Sequence, residues 1–170
     1  MELSLRKLSV DDGEDVYEML QRQPEEENGF ENGAHGLSRA ACRDWLRAQE
    51  EMSRGIGLED WMVPQTIFWF LDGDACVGYG KIRHRLTDRL RQTGGNIGYC
   101  IVPGRRGGGY ARAFVPLLVR KAWDMGVDEL LFTIHRDNPA SLAVARACGA
   151  AEVAGTDAEA HFYLARPAQA

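Results

Sequence analysis

The sequence predicts an α/β (α+β) chain built on a mixed sheet with helices on both faces. Three observations carry this. Segments of period two, the signature of strands, are interleaved with segments of helical period. Residues 96–134 read strand–helix–strand, which calls for a right-handed parallel crossover. The 170 residues, 45% hydrophobic and 26% charged, suit one compact domain over residues 1–170 with a sizeable core.

The elements follow in order. Residues 2–10 alternate, with Leu3 and Leu5 apolar, and form a first strand. Asp11 and Asp12 open a short helix whose apolar face is Val16, Met19 and Leu20, and Pro24 ends it. Residues 24–37 are acidic, Gly-containing and aperiodic, and read as a loop. Ser38 caps a second helix carrying Cys42, Trp45, Leu46, Gln49 and Met52 on one face, stopped by Gly55. Residues 66–71 and 75–83 form two strands around Asp72-Gly73-Asp74, a hairpin signal. The unbroken run Ile67-Phe68-Trp69-Phe70 predicts a strand covered on both faces. Residues 85–93 read as a charged connection and 96–102 as a strand. A Gly-rich turn then leads into a helix reaching about Met125, with Pro116 inside it. Residues 129–134 return to strand. Asn138, Pro139 and Gly149 bracket a short helix, and Val153 and 161–164 supply the last strands.

Composition narrows the function. The net charge of −5 and pI near 5.4 argue against nucleic acid as a partner. No apolar run approaches the ~20 residues of a membrane span, so no membrane partner is expected. The first residues hold no apolar secretory core, so a cytoplasmic location is expected. Cys42, Cys76, Cys100 and Cys148 form no Cys-x-x-Cys pair, and His35, His84, His135 and His161 stand at no ligand spacing. Neither a disulfide framework nor a metal site is expected.

The stretch with chemical content is Pro103-Gly104-Arg105-Arg106-Gly107-Gly108-Gly109-Tyr110-Ala111, where a strand feeds a turn that opens a helix. Helix starts leave N–H groups unpaired and carry partial positive charge. Successive glycines let those N–H groups form a nest for an anion, with phosphate or pyrophosphate the natural guest, and Arg105 and Arg106 are placed to add charge-assisted bonds. The turn lacks the Lys of a Walker A loop, and Arg112 stands where a Gly-x-Gly-x-x-Gly fingerprint starting at Gly107 needs its third glycine.

Arg106-Gly107-Gly108-Gly109-Tyr110-Ala111 resembles the Arg/Gln-x-x-Gly-x-Gly/Ala signature of the GNAT N-acetyltransferase superfamily. Pro103, Asn138, Gly149 and the order of elements extend the likeness over nearly the whole chain. The stretches Val63-Pro64-Gln65-Thr66, Ile82-Arg83-His84 and 94–99 resemble a bacterial subgroup of that superfamily. The resemblance implies a mostly antiparallel sheet of six to seven strands with a splayed pair of parallel strands. It also implies acetyl-CoA (coenzyme A) as cosubstrate, its pyrophosphate on Arg106, Gly107, Gly108, Gly109, Tyr110 and Ala111. The pantetheine arm pairs with the backbone of Tyr99, Cys100 and Ile101, and Asn138 contacts the cofactor or caps its helix.

The implied reaction is direct attack of a primary amine on the thioester in a ternary complex. Relatives use a Tyr as general acid and a Glu as base, but the matching positions here are Ala145, Thr133 and Gly95. His84 is the expected substitute base, since its unperturbed pKa lies near neutrality, with His135 behind it. Tyr99 is placed to donate to the leaving sulfur or to pack. The acidic loop Glu25-Glu26-Glu27-Asn28-Gly29-Phe30 is expected to attract a cationic acceptor. The acceptor stays open among small-molecule and peptide amines, and the exposed sheet edges leave room for a homodimer. Two other readings remain: a non-catalytic acyl-CoA-binding or sensing module, and a binder of another phosphorylated ligand.

Overall fold

Alternation of apolar side chains along the strands places a hydrophobic layer on each face of a central sheet. A computed structural model describes residues 2–168. Strands β1 (Leu3–Lys7), β4 (Gln65–Asp72), β5 (Ala75–Arg83) and β6 (Ile97–Ile101) form one sheet in the order β1-β4-β5-β6, each pair antiparallel. Strands β7 (Glu129–His135), β8 (Ala151–Val153) and β9 (Glu159–Ala165) form a second, in the order β7-β9-β8. The expected sheet of six to seven strands is therefore divided in two, and the division falls between β6 and β7.

The run in β4 is covered on both sides as its composition requires. Phe68 and Phe70 turn to a core with Phe114, Leu118, Phe132 and Phe162, beneath helices α4 (Tyr110–Asp124) and α5 (Pro139–Ala147). Ile67 and Trp69 turn to a core with Val16, Leu20 and Leu46 of helices α1 (Glu14–Arg22) and α2 (Arg39–Ser53). Ser38 caps α2, its side chain accepting from the Ala41 N–H at 3.2 Å. Helix α4 runs through Pro116 without interruption. No helix among the described residues is long and apolar enough to cross a membrane.

Two connections differ from the sequence reading. Residues 24–37 are not a plain loop: β2 (Glu26–Glu27) and β3 (Phe30–Glu31) pair antiparallel around Asn28 (φ 52°) and Gly29 (φ 79°), the Asn-Gly pattern of a tight hairpin turn. Residues 85–93 contain a short helix, α3 (Asp88–Gln92), capped by the Thr87 side chain. Both connections pack over the gap between the two sheets and wall the site.

Strands β6 and β7 meet only at their beginnings. The Asn96 N–H donates to the Leu131 carbonyl at 2.7 Å, and the Asn96 Oδ1 accepts from the Leu131 N–H at 2.9 Å. Gly95 makes that approach possible: at φ 58°, a Cβ there would lie 2.3 Å from the Leu131 oxygen. Beyond this apex the described residues of β6 and β7 share no ladder.

Candidate active site

The register of β6 decides which backbone groups line the gap. Val102 N–H donates to the Val77 carbonyl and Arg83 N–H to the Asn96 carbonyl, so Gly98 and Cys100 exchange bonds with β5. The backbone of Ile97, Tyr99 and Ile101 is left turned toward β7. Consistent with that phase, the Ile101 carbonyl accepts from the Arg106 Nε at 2.9 Å. Cys100 is therefore a correction to the sequence reading: its backbone belongs to the β5 ladder and is not free for a pantetheine arm. Burial pushes its thiol up to about 12, which leaves it inert as a nucleophile.

The Gly-rich turn sits at one mouth of the gap. Pro103–Arg105 make a 3₁₀ turn, and α4 starts after Gly109 with its first internal bond from the Ala113 N–H to the Gly109 carbonyl. The N–H groups of Tyr110, Ala111 and Arg112 thus have no intrahelical partner. Gly107 and Gly109 take positive φ, and a Cβ built on either meets nothing within 4 Å, so the space above the helix start is open. The Arg106 side chain does not face that space. Its guanidinium pairs with the Glu27 carboxylate, at 2.8 Å from Nη1, and fastens the β2–β3 hairpin to the end of β6. Only the Arg106 backbone remains for an anion. Glu27 is likewise occupied, and Glu26 accepts the Gly29 N–H at 2.7 Å, so the acidic loop offers less free charge than its composition suggests.

A cavity of about 1030 Å³ runs from this turn, through the gap, to the face covered by α2. It is at the upper end of ordinary ligand pockets. Tyr99, Ile101, Arg106, Gly107, Gly109, Tyr110, Ala111 and Asn138, expected from the sequence, all line it, as does Cys100. Gly108 is not among its lining residues.

His84 does not line it either, which corrects the expected base. Along β5, Tyr79 packs with α1 and α2 while Ile82 packs with α4, so the alternation carries His84 to the α4 face. There its Nε2 lies 2.7 Å from the Thr66 Oγ1, and burial together with the Lys7 charge lowers its pKa.

His135 lies on the cavity wall instead. Its Nε2 is 3.6 Å from Oε1 of Glu159, a carboxylate only 8% exposed that also accepts the Thr93 hydroxyl at 3.1 Å. The positions where relatives are expected to carry Glu have other duties. Thr133 accepts the Gly94 N–H at 2.7 Å, and Gly95 has no room for a side chain.

On the other wall, Ala145 is 1% exposed in the core, with no space for a ring. One turn earlier on the same helix, Ser141 accepts the Tyr99 hydroxyl at 3.0 Å and also bonds Asn138, whose Oδ1 caps α5. Tyr99 thus brings a phenol from β6 to the helix that lacks one. Burial holds that phenol up at about 12, so it stays protonated at neutral pH. The sequence reading also missed Lys81, Arg83 and Gln23, which line the cavity beside the hairpin. No group of three or more potential metal ligands comes together among the described residues.

A split sheet, a helix start facing open space and a cavity joining its two sides define an acyl-transferase type of site. The chain belongs to the GNAT acetyltransferase family, whose domain model matches residues 2–151. The fold is shared with the N-acetyltransferase PseH of Campylobacter jejuni in complex with acetyl coenzyme A, at 10% identity over 97% of this chain and 99% of that one, TM-score 0.64. It is shared with the microcin C7 self-immunity acetyltransferase MccE bound to acetyl-CoA and AMP, at 15% identity over 96% and 92% of the two chains, TM-score 0.68. A mutant form of the spermidine/spermine N-acetyltransferase SpeG of Vibrio cholerae aligns at 14% identity over 96% and 95%, TM-score 0.63. At these identities the likeness is one of fold. No curated protein sequence matches the chain.

Proposed function

We propose that this protein transfers an acetyl group from acetyl-CoA to a primary amine, with both reactants bound at once. The observation that carries the reading is the continuous cavity joining the α4 start to the α2 side through the β6–β7 gap. The residues present suit the cosubstrate. Free N–H groups at Tyr110, Ala111 and Arg112 and the open space over Gly107 and Gly109 suit its pyrophosphate. The Tyr99 backbone and the Ile101 N–H, left outside the β5 ladder, suit the amide groups of its arm, the Ile101 carbonyl being held by Arg106, and Asn138 stands beside that path.

Acetyl-CoA supplies an activated acyl group and a thiolate leaving group; the chain positions, polarises and moves protons. Amide hydrogens on the free β6 edge are donors for negative charge developing on an acyl oxygen, a contribution of ~10²–10³ in rate for one such donor. His135, oriented by Glu159, is the group placed to take a proton from the ammonium form of the acceptor, since only the neutral amine has a lone pair to offer. Tyr99, whose one hydroxyl hydrogen is donated to Ser141 Oγ, is the group placed to turn that hydrogen toward the leaving sulfur.

A non-catalytic acyl-CoA-binding module is the alternative, and its motive is Ala145, Thr133 and Gly95. His135 and Tyr99 supply groups of the missing kind from other elements, which favours the enzyme. Thiol release from acetyl-CoA over a panel of amines, with mass detection of products, decides. Acetylated product is expected; coenzyme A binding with silence across the panel supports the module instead.

A further inference from the structure

We propose that the acceptor amine also carries a carboxylate, recognised by Lys81 and Arg83 of β5 with the carboxamide of Gln23. The inference rests on the acetyl-transfer reading and names its substrate class. Lys81 and Arg83 stand two residues apart on one strand, so their side chains leave the same face, into the cavity. Lys81 Nζ donates to the Glu31 main-chain carbonyl and lies over the Phe30 ring at 4.5 Å. Arg83 Nη1 donates to the carbonyls of Gly94 and Gly95 at 2.9 and 3.0 Å. Neither cation has a carboxylate partner within 4 Å among the described residues, although Glu31 acts on both through space. Arg106, on the same cavity wall, shows the contrast, since it is paired with Glu27.

Gln23 supplies an independent sign. It is 1% exposed and lines the cavity, yet neither its Nε2 nor its Oε1 has a hydrogen-bond partner among the described residues. Buried amides are nearly always satisfied, so this orphan in the cavity wall, whose polar atoms are themselves shielded from solvent, is a group that a ligand's polar group satisfies once the carboxamide turns inward. Two cations bonded to main-chain carbonyls but to no carboxylate, and an unpaired amide, together fit an anion.

The two cations stand on the strand that borders β6 and its gap. Lys81 pairs in register with Gly98, whose neighbours Ile97 and Tyr99 present their backbone to the gap. A compact amine with its carboxylate a few bonds away satisfies both ends. Trp45, Met52, Trp61 and Met62 form an apolar wall for the rest of the molecule. Polyamines, which bring only positive charge, are disfavoured by the same cations.

The test compares each proteinogenic amino acid with its decarboxylated amine, its methyl ester and its aminophosphonate analogue. Two readouts are taken: calorimetric binding to coenzyme A-saturated protein, and thiol release from acetyl-CoA. At least one free amino acid is expected to bind on the order of 10–100-fold better than its decarboxylated and esterified partners, the worth of charge-assisted bonds. In Lys81→Met, and separately in Gln23→Leu, that preference shrinks while coenzyme A affinity holds. Equal binding of charged and uncharged members overturns the proposal, as does preference for the phosphonate. A carboxylate preference in binding without thiol release leaves the recognition site standing and removes the acetyl-transfer reading.

Discussion

Asn96 Oδ1 accepts the Leu131 N–H at 2.9 Å while the Asn96 N–H donates to the Leu131 carbonyl at 2.7 Å, so one buried residue closes the apex from which the two sheets part. Its Nδ2 also donates to the Arg83 carbonyl at 3.1 Å, tying the apex to β5. Asn96→Ala leaves the Leu131 N–H and the Arg83 carbonyl short of a partner in a buried place. Loss of about 2–3 kcal/mol is expected in urea denaturation, together with a raised KM for acetyl-CoA as the gap loosens.

Gly109 and Gly104 differ in place and in backbone, since only Gly109 takes positive φ (81°), so Gly109→Ala serves as the control for strain without charge. A Cβ on either meets nothing within 4 Å, but only Gly109 lines the cavity at the start of α4. Gly109→Glu is expected to abolish measurable coenzyme A binding in calorimetry, because a carboxylate enters the place of the phosphate. Gly104→Glu is expected to bind within about threefold of the parent, since a charge displaced by several ångströms in water acts weakly.

The two proton-handling residues separate by their kinetic signatures. His135→Gln is expected to lower kcat by about 10²-fold or more. Tyr99→Phe keeps the ring and the packing but loses the proton, and a fall of ~10–100-fold in kcat with little change in KM is expected. Ser141→Ala, which leaves the phenol present but untethered, falls between Tyr99→Phe and the parent. His84→Ala, off the cavity, is expected to leave the pH profile unaltered.

Desolvation, aided by the Arg83 charge, brings the Lys81 ammonium down to about 8. Below that pH Lys81 is charged and holds a carboxylate; above it the attraction is lost. An α-hydroxy acid, which carries the carboxylate but no reactive amine, should inhibit with a Ki that rises as pH passes about 8. The slope approaches tenfold per pH unit, and Lys81→Arg flattens it. An unpaired buried amide also weighs on stability, so Gln23→Leu is expected to raise the melting point while acceptor recognition falls, a gain of about 1 kcal/mol.

Much of the fold was legible because local chemistry and tertiary position agree. The doubly covered strand at Ile67–Phe70, the Ser38 and Asn138 caps and the glycines at the α4 start all stand where residue type and spacing put them. The Asn28-Gly29 turn is a usable signal by itself, but its two-residue strands leave no alternation to flank it. What escaped the sequence was side-chain partnership across elements. Arg106 reads as a phosphate ligand until Glu27 is found beside it, 79 residues away in the chain. Lys81 on β5 and His84, one residue past its end, differ by three positions, and only the register and the two cores decide which faces the cavity. Glu159 joins His135 through the β7–β9 ladder, a pairing no local pattern encodes.

Amide hydrogen exchange with and without coenzyme A tests the central claim, that the cosubstrate spans the gap between the α4 start and the free β6 edge. The account predicts slowed exchange at Gly107–Arg112, Tyr99 and Ile101 on addition of coenzyme A, with Cys100 unchanged because its N–H is already held by β5. Binding that protects other amides and leaves those of the Gly-rich turn and the β6 edge exchanging as before would contradict it.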